Sequence, residues 1–338
     1  MGIVKATNRT VDFSNAQQPV DDDAFFFVVV ADPQIGMIQM NESWDEELEL
    51  CKRAVREINR LKPNFVIVVG DLVNAHPNIY PNFPNIQEVT RQQTQDYLDA
   101  FNQVDNAIPV LNIAGNHDIG QTVTKQSIDD WRADFGDDYY SFWAPMSSSN
   151  KKVLGIVLNS QLMEDTSEES QAMNKEQMTW LESTLRHSRA LDQPVDIIVF
   201  IHIPPFLRQP DEVDFPDGFT MYKGFKLGDS YFHLKNAARQ PLIKLLDEYG
   251  VWKIFAGHWH QNNDPTIAVL PNGNCQVIVS SALGGQLTDR TKSGVCLVQV
   301  DKSDDSKRRR NAIHQVYVEL DDLVHVMAEK GRWHVSSM

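Results

Sequence analysis

Residues 25–34 read Phe-Phe-Phe-Val-Val-Val-Ala-Asp-Pro-Gln. Phe25 to Ala31 is apolar on both parities, the pattern of a strand covered on both faces. Asp32-Pro33-Gln34 cannot continue it, because proline offers no ladder N–H and aspartate favours turns. The stretch therefore reads as a buried strand that ends on a carboxylate and an amide. The same arrangement recurs along the chain. Residues 65–70 run into Asp71, 110–114 into Gly115-Asn116-His117-Asp118, 196–201 into His202, and 251–256 into Gly257-His258-Trp259-His260. Further strand-length apolar runs lie at 153–158, 276–280, 295–300 and 313–319.

Helical periodicity separates the strands. Leu48, Cys51, Val55, Ile58 and Leu61 form one apolar stripe, with Ser43 and Glu46 spaced as a capping box and Pro63 closing the segment. Met178, Leu181 and Leu185 form a second, opened by Asn174 and Gln177. Leu242, Leu245 and Leu246 belong to a third, with Pro241 near its start and Gly250 beyond its end. Strand–helix alternation followed by a strand-rich end predicts an α/β fold, two mixed β-sheets packed as a sandwich with flanking helices. The expected division is an N-terminal extension over 1–22, one domain over 23–320 and a C-terminal tail over 321–338. Residues 76–88 and 208–236 have no period, and loops of that length in a compact domain are often functional.

In open α/β sheets, ligands bind beyond the carboxyl ends of strands. Turns there would bring Asp32, Gln34, Asp71, Asn116, His202, His258 and His260 to one rim. The set offers carboxylate, amide and imidazole donors and no thiolate, which suits Mn, Fe, Zn or Mg rather than a structural zinc finger. Seven donors exceed one four-coordinate ion and suffice for two ions sharing a carboxylate. Taken singly, each residue reads more blandly. Asp32 alone is a turn residue, and a lone His202 after an apolar run is a core histidine. His258 and His260, two apart, project to one side of an extended chain.

The five segments resemble, in order, the motifs of the calcineurin-like metallophosphoesterases: D-x-H/Q, G-D, G-N-H-D/E, H and G-H-x-H. The resemblance spans about residues 25–261. The Asp-Pro-Gln opening and the chain length are most similar to the serine/threonine phosphatase type. The resemblance implies the four-layer metallophosphoesterase fold and two divalent cations. Asp32, Gln34 and His260 would hold the first, and Asn116, His202 and His258 the second, with Asp71 between them. It also implies attack of a bridging hydroxide on phosphorus, with His117 as general acid. The substrate would be a phosphorylated protein or a small phosphoester. Two departures stand out. Gln34 replaces the more usual histidine, and Asn74 stands where phosphoprotein phosphatases carry an aspartate that orients the catalytic histidine. Asn74 would orient His117 through its amide oxygen. Arg91 and Arg208 are candidate phosphate clamps by loop position, and His233 is a candidate to reach the rim. A phosphodiesterase or nucleotide hydrolase is the alternative chemistry, and a scaffold without catalysis the alternative class.

The chain of 338 residues carries a net charge of −15. That excess opposes nucleic-acid binding. No apolar run approaches the roughly 18 residues of a membrane span. Residues 1–20 lack the basic-then-apolar pattern of an export signal. Cys51, Cys275 and Cys296 are odd in number and form no CxxC pair. A cytoplasmic protein with buried free thiols is expected, and the basic run 307–310 reads as a solvated hairpin tip.

Overall fold

The structure, a computed structural model, describes residues 2–11, 13, 24–144, 152–214, 219–222, 225–288, 291–301, 313–329 and 332–335. The basic run 307–310 lies outside them. The first half holds β1 (Ala24–Val30), α1 (Asp45–Leu61), β2 (Val66–Val68), α2 (Ile86–Phe101), β3 (Val110–Asn112), α3 (Asn116–Ile119), α4 (Lys125–Phe135) and β4 (Tyr140–Trp143). The middle holds β5 (Lys152–Leu158), α5 (Gln161–Glu164), α6 (Glu168–Arg189), β6 (Val195–Ile201), β7 (Phe219–Tyr222) and β8 (Phe225–Gly228). Then come α7 (Asn236–Glu248), β9 (Lys253–Ala256), β10 (Gln276–Val279), β11 (Gly294–Asp301), β12 (Ile313–Glu319), α8 (Leu320–Leu323), β13 (Val326–Glu329) and β14 (Arg332–Val335).

Two five-stranded sheets result, in the orders β12-β11-β1-β2-β3 and β10-β9-β6-β5-β4. β1, β2 and β3 run parallel, as do β5, β6, β9 and β10; β11, β12 and β4 are antiparallel to their neighbours. The period-2 alternation of the strands sorts their side chains into layers. Phe25, Phe27, Val29 and Ile67 meet Phe142, Val157, Ile198 and Phe200 between the sheets. Phe26, Val28, Val30 and Val68 face α1, α2 and α4 through Cys51, Val55, Tyr97 and Trp131. Leu154, Ile156, Ile197 and Val199 face α6 and α7 through Leu181, Leu185, Leu242 and Leu246. Helix, sheet, sheet and helix thus stack as the two-sheet reading expects. One thiol lies in each layer: Cys51 under α1, Cys275 under α7 and Cys296 between the sheets, all buried and unbridged. Burial raises all three thiols, Cys296 to about 12.

All nine apolar runs form strands. The helix ends differ from expectation. Trp44, not Ser43, precedes α1, and the Ser43 hydroxyl bonds to Asp45 instead of a backbone N–H. The cap of the second helix lies seven residues before the expected Asn174, because Ser167 accepts from Ser170 N and starts α6 there. Pro241 lies inside α7 rather than at its first turn. α2, α4, β4 and the hairpins β7–β8 and β13–β14 carried no readable period. Within 321–338, Leu323 and Val326 are buried against α1, and near the other end Ala6, Val11 and Phe13 are buried in the layer between the sheets, where Phe13 meets Phe65 and Phe142.

Candidate metal centre

Five parallel strands deliver the donors. Asp32 follows β1, Asp71 follows β2, Asn116 follows β3, His202 follows β6, and His258 and His260 follow β9. The sheets therefore contribute to one rim from both sides of the sandwich. The turns that make this possible are strained. Asp32, Gln34, Asp71, His258 and His260 all have positive φ, between 36° and 68°. A side chain in the left-handed region costs about 1–3 kcal/mol, and such residues cluster where function requires them.

The donors are brought together. His202 Nε2 lies 3.3 Å from Asp71 Oδ2 and 3.2 Å from Asn116 Oδ1. Asp71, His202 and His258 offer ligand atoms all within 4.8 Å of one another. His260 Nε2 lies 3.5 Å from Asp32 Oδ1, and Asp32 accepts the backbone N–H of His258 at 2.9 Å. Each imidazole has its other nitrogen committed to a backbone carbonyl. His202 Nδ1 donates to Val69 at 2.8 Å, His258 Nε2 to Tyr231 at 2.9 Å, and His260 Nδ1 to Gly285 at 2.5 Å. This is how ligating histidines are held, with tautomer and ring plane fixed by the nitrogen that does not ligate. Gln34 adds a decisive detail. Its Nε2 donates to Asn74 Oδ1 at 3.1 Å, and its Oε1 is buried without a partner. An orphaned buried acceptor is costly unless something positive meets it. The residues present therefore fit divalent cations.

The electrostatics agree. Burial raises the Asp32 carboxyl well above the usual range, and the nearby Asp71 charge adds to it. Burial would raise Asp71 too, but His202 and His117 outweigh it and hold Asp71 below its ordinary value. His202 moves the other way: burial disfavours its charge, Asp71 and Asp32 favour it, and it rises to about 9. Burial lowers His258 to about 3, helped by the charge of His202, and lowers His260 to about 4. Without cations, buried carboxylates are stabilised by a proton on His202.

His117 faces the same cavity without joining the donor cluster. Its Nδ1 donates to the Asn74 carbonyl at 2.8 Å, and its backbone N–H bonds Asp71 Oδ1 at 2.8 Å. Asn74 thus orients His117 by its main-chain carbonyl, not by its amide oxygen as expected. The amide oxygen instead accepts from Gln34 and from the Tyr80 hydroxyl. The cavity, about 310 Å³, is lined by Gln34, Asp71, His117, His258 and His260 with an apolar wall that includes Met37, Tyr80 and Tyr231. No lysine or arginine among the described residues lines it. Arg91 pairs with Glu88 on the exposed face of α2, and Arg208 borders a separate cavity with His233. His233 is buried there against Arg239 and Glu212. None of the three reaches the site, because the loop position that suggested them gave no direction.

Sequence reasoning gave no role to Asp118, although it belongs to the third motif. Its carboxylate accepts from Gly115 N, Leu72 N and Val73 N and so ties the turn after β3 to the turn after β2. Glycines at 70, 115 and 257 permit the close approach. A Cβ on Gly257 would stand 2.4 Å from Asp32 Oδ2 and 3.2 Å from Ala31 Cβ. Gly257→Ala should therefore displace Asp32, cost about 1–3 kcal/mol by overpacking and lower metal content. Thermal melting and elemental analysis of the purified variant check this. Wild-type metal content would contradict it.

Residues 27–262 match the family model for calcineurin-like phosphoesterases. A zebrafish protein, serine/threonine-protein phosphatase CPPED1, is 35% identical over 315 residues, covering 88% of this chain and 86% of its own. The human protein of that name is 33% identical over 318 residues, covering 91% and 86%. Among solved structures, a dimetal phosphatase from Danio rerio superposes with a TM-score of 0.52 at 14% identity, over 88% of this chain and 99% of that one. A purple acid phosphatase from yellow lupin gives 0.53 at 14% identity, over 93% and 54%. With the motifs on one rim, this sheet sandwich and these relatives, the chain belongs to the calcineurin-like phosphoesterase family.

Proposed function

We propose that this protein is a metal-dependent hydrolase of phosphate monoesters, acting in the cytoplasm as a serine/threonine phosphatase. The observation that carries the chemistry is the pairing of two different imidazole environments around Asp71. His202, His258 and His260 are fixed as donors by carbonyls behind them, while His117 sits beside Asp71 with Nδ1 engaged by Asn74. The serine/threonine assignment is supported by the names of the curated relatives. Retention of the donor set and of His117 argues against a scaffold, which has no chemical need of them.

Asp32, Gln34 and His260 would hold one cation and Asn116, His202 and His258 the other, with Asp71 shared. Bound divalent cations would supply Lewis-acid stabilisation of phosphoryl oxygens and a water acidic enough to act as nucleophile near neutral pH. Mn, Fe and Zn suit this mixed donor set, and Mg is the harder alternative. The chain's own residues do the rest. His117 keeps Nδ1–H on Asn74, and in its imidazolium form it gives the Nε2 proton to the departing oxygen. With no basic side chain among the described lining residues, the attraction for a dianion falls to the cations.

A substrate panel tests the reading. A phosphoserine or phosphothreonine peptide should exceed a nucleoside monophosphate and an aryl phosphodiester in kcat/KM by at least about tenfold, a difference of about 1.4 kcal/mol. Preference for the diester would replace the monoesterase assignment.

A further inference from the structure

We propose that Gln93, on α2, is a positioning residue that sets the direction in which Gln34 presents its amide. The inference rests on the metal-centre reading above and adds a residue that no motif contains. Gln93 is fully buried in α2, a helix that lines no part of the cavity. Its Oε1 accepts two backbone N–H groups, from Ala75 at 2.8 Å and Asn74 at 3.2 Å. Backbone N–H groups cannot act as acceptors, so they fix which end of the Gln93 amide is oxygen.

That polarity passes outward through two more amides. Gln93 Nε2 donates to Asn41 Oδ1 at 3.1 Å. The same Asn41 oxygen accepts Asn74 Nδ2 at 2.9 Å. Asn74 must then turn its Oδ1 the other way, where it accepts Gln34 Nε2 at 3.1 Å. Gln34 is left with Oε1 as its free end, the buried acceptor without a partner. An amide can ligate a cation through oxygen and is repelled if its NH₂ faces the cation. Each of the four amides is locked in one of two orientations by the one before it, and the lock begins at a backbone that cannot flip. Gly36 leaves room for this, since a Cβ there would stand 2.1 Å from Gln93 Nε2 and 2.8 Å from Asn41 Oδ1.

The same contact reaches the proton donor. Ala75 N and Asn74 C=O belong to one peptide unit, and Gln93 holds its N–H while His117 Nδ1 bonds its oxygen. Hydrogen bonds at both ends of a peptide polarise one another. Gln93 thus steadies the first-cation ligand and His117 from 18 residues beyond Ala75.

Calorimetric titration of Mn²⁺ into the metal-free full chain tests the proposal, with kcat as a second readout. The wild type should show two sites. Gln93→Leu removes the anchor, and first-site affinity should fall about 10–100-fold, the usual effect of losing a group that orients a metal ligand. The second site, built from Asn116, His202 and His258, should stay within about threefold of wild type. Should Gln93→Leu fail to fold, Gln93→Glu keeps an acceptor for both backbone N–H groups. Its ionised second oxygen cannot donate to Asn41, so the same first-site loss is expected. Asn41→Asp is the conservative variant: its carboxylate still accepts from Gln93 and Asn74, and first-site affinity should be retained. Wild-type first-site affinity in a folded Gln93 variant overturns the proposal. So does equal loss in Asn41→Asp, which would mark buried polarity in general rather than direction. A wild-type chain that binds no Mn²⁺ and no other divalent cation removes the metal centre itself, a result distinguishable from either.

Discussion

Asp71→Asn is expected to lower kcat/KM by at least about 10³-fold, about 4 kcal/mol of transition-state stabilisation, while the chain still folds. Asparagine has the shape of aspartate and can keep an oxygen on the His117 backbone N–H, which Asp71 Oδ1 now accepts at 2.8 Å. The turn after β2 therefore has no steric reason to change. What disappears is the negative charge placed between the two proposed cation sites, 3.3 Å from His202 Nε2. In the metal-free chain that charge is also what keeps His202 protonated against its burial. Its loss removes the strongest attraction for the His202 proton and shifts His202 toward its neutral form, so the stability cost stays moderate. Steady-state kinetics with a phosphomonoester, together with a melting curve, check both halves. Activity within tenfold of wild type would show that Asp71 is not shared by two cations.

The second large effect concerns metal removal. Chelation should lower the melting temperature by about 10 °C. Two sites at about 100 times their Kd each contribute about 2.7 kcal/mol, and a chain of this size shifts by about 2 °C per kcal/mol. The gap between loaded and stripped protein should widen as pH rises from 6.5 to 9. In the stripped protein His202 titrates near 9 against 6.5 when unfolded. The stability from its proton is fully present below about 6.5 and is lost as pH rises through 9. Asp32, raised by burial, and Asp118, raised to about 8 by burial and by Asp71, likewise hold protons in the folded stripped chain that the unfolded chain has released. All three therefore make the stripped protein less stable with rising pH. Cations replace these protons, so the loaded protein lacks the penalty. Lys253, lowered to about 8 by burial, acts on both forms and cancels from the difference. Scanning calorimetry at pH 6.5, 7.5 and 9 measures the gap; a constant or shrinking value would show that no such protons are displaced.

The strands were legible because burial on both faces leaves long apolar runs, as in Phe25–Phe27 and Val28–Val30. The gathering of the donors was legible because each such run ends on one. α2 was hidden for a physical reason. Its buried face uses Gln93 and Tyr97 between Ile86 and Phe101, and a glutamine at a core position breaks an apolar period. That break is the network that orders Gln34. The cap of α6 was missed because Asn174 and Gln177 imitate a start signal in mid-helix, where Gln177 instead bonds the Asn159 backbone. Asn74 was placed at the correct position with the wrong atom, because sequence cannot tell a main-chain carbonyl from an amide.

The distribution of the thiols has a practical consequence. Cys51, Cys275 and Cys296 each lie in a different layer, with no bridge and no surface exposure. An alkylating reagent can reach one only when its own stratum opens, so the labelling rate at each reports a separate opening equilibrium. Mass spectrometry after timed pulses would then give the order in which the sandwich comes apart, with no engineered probe in the chain.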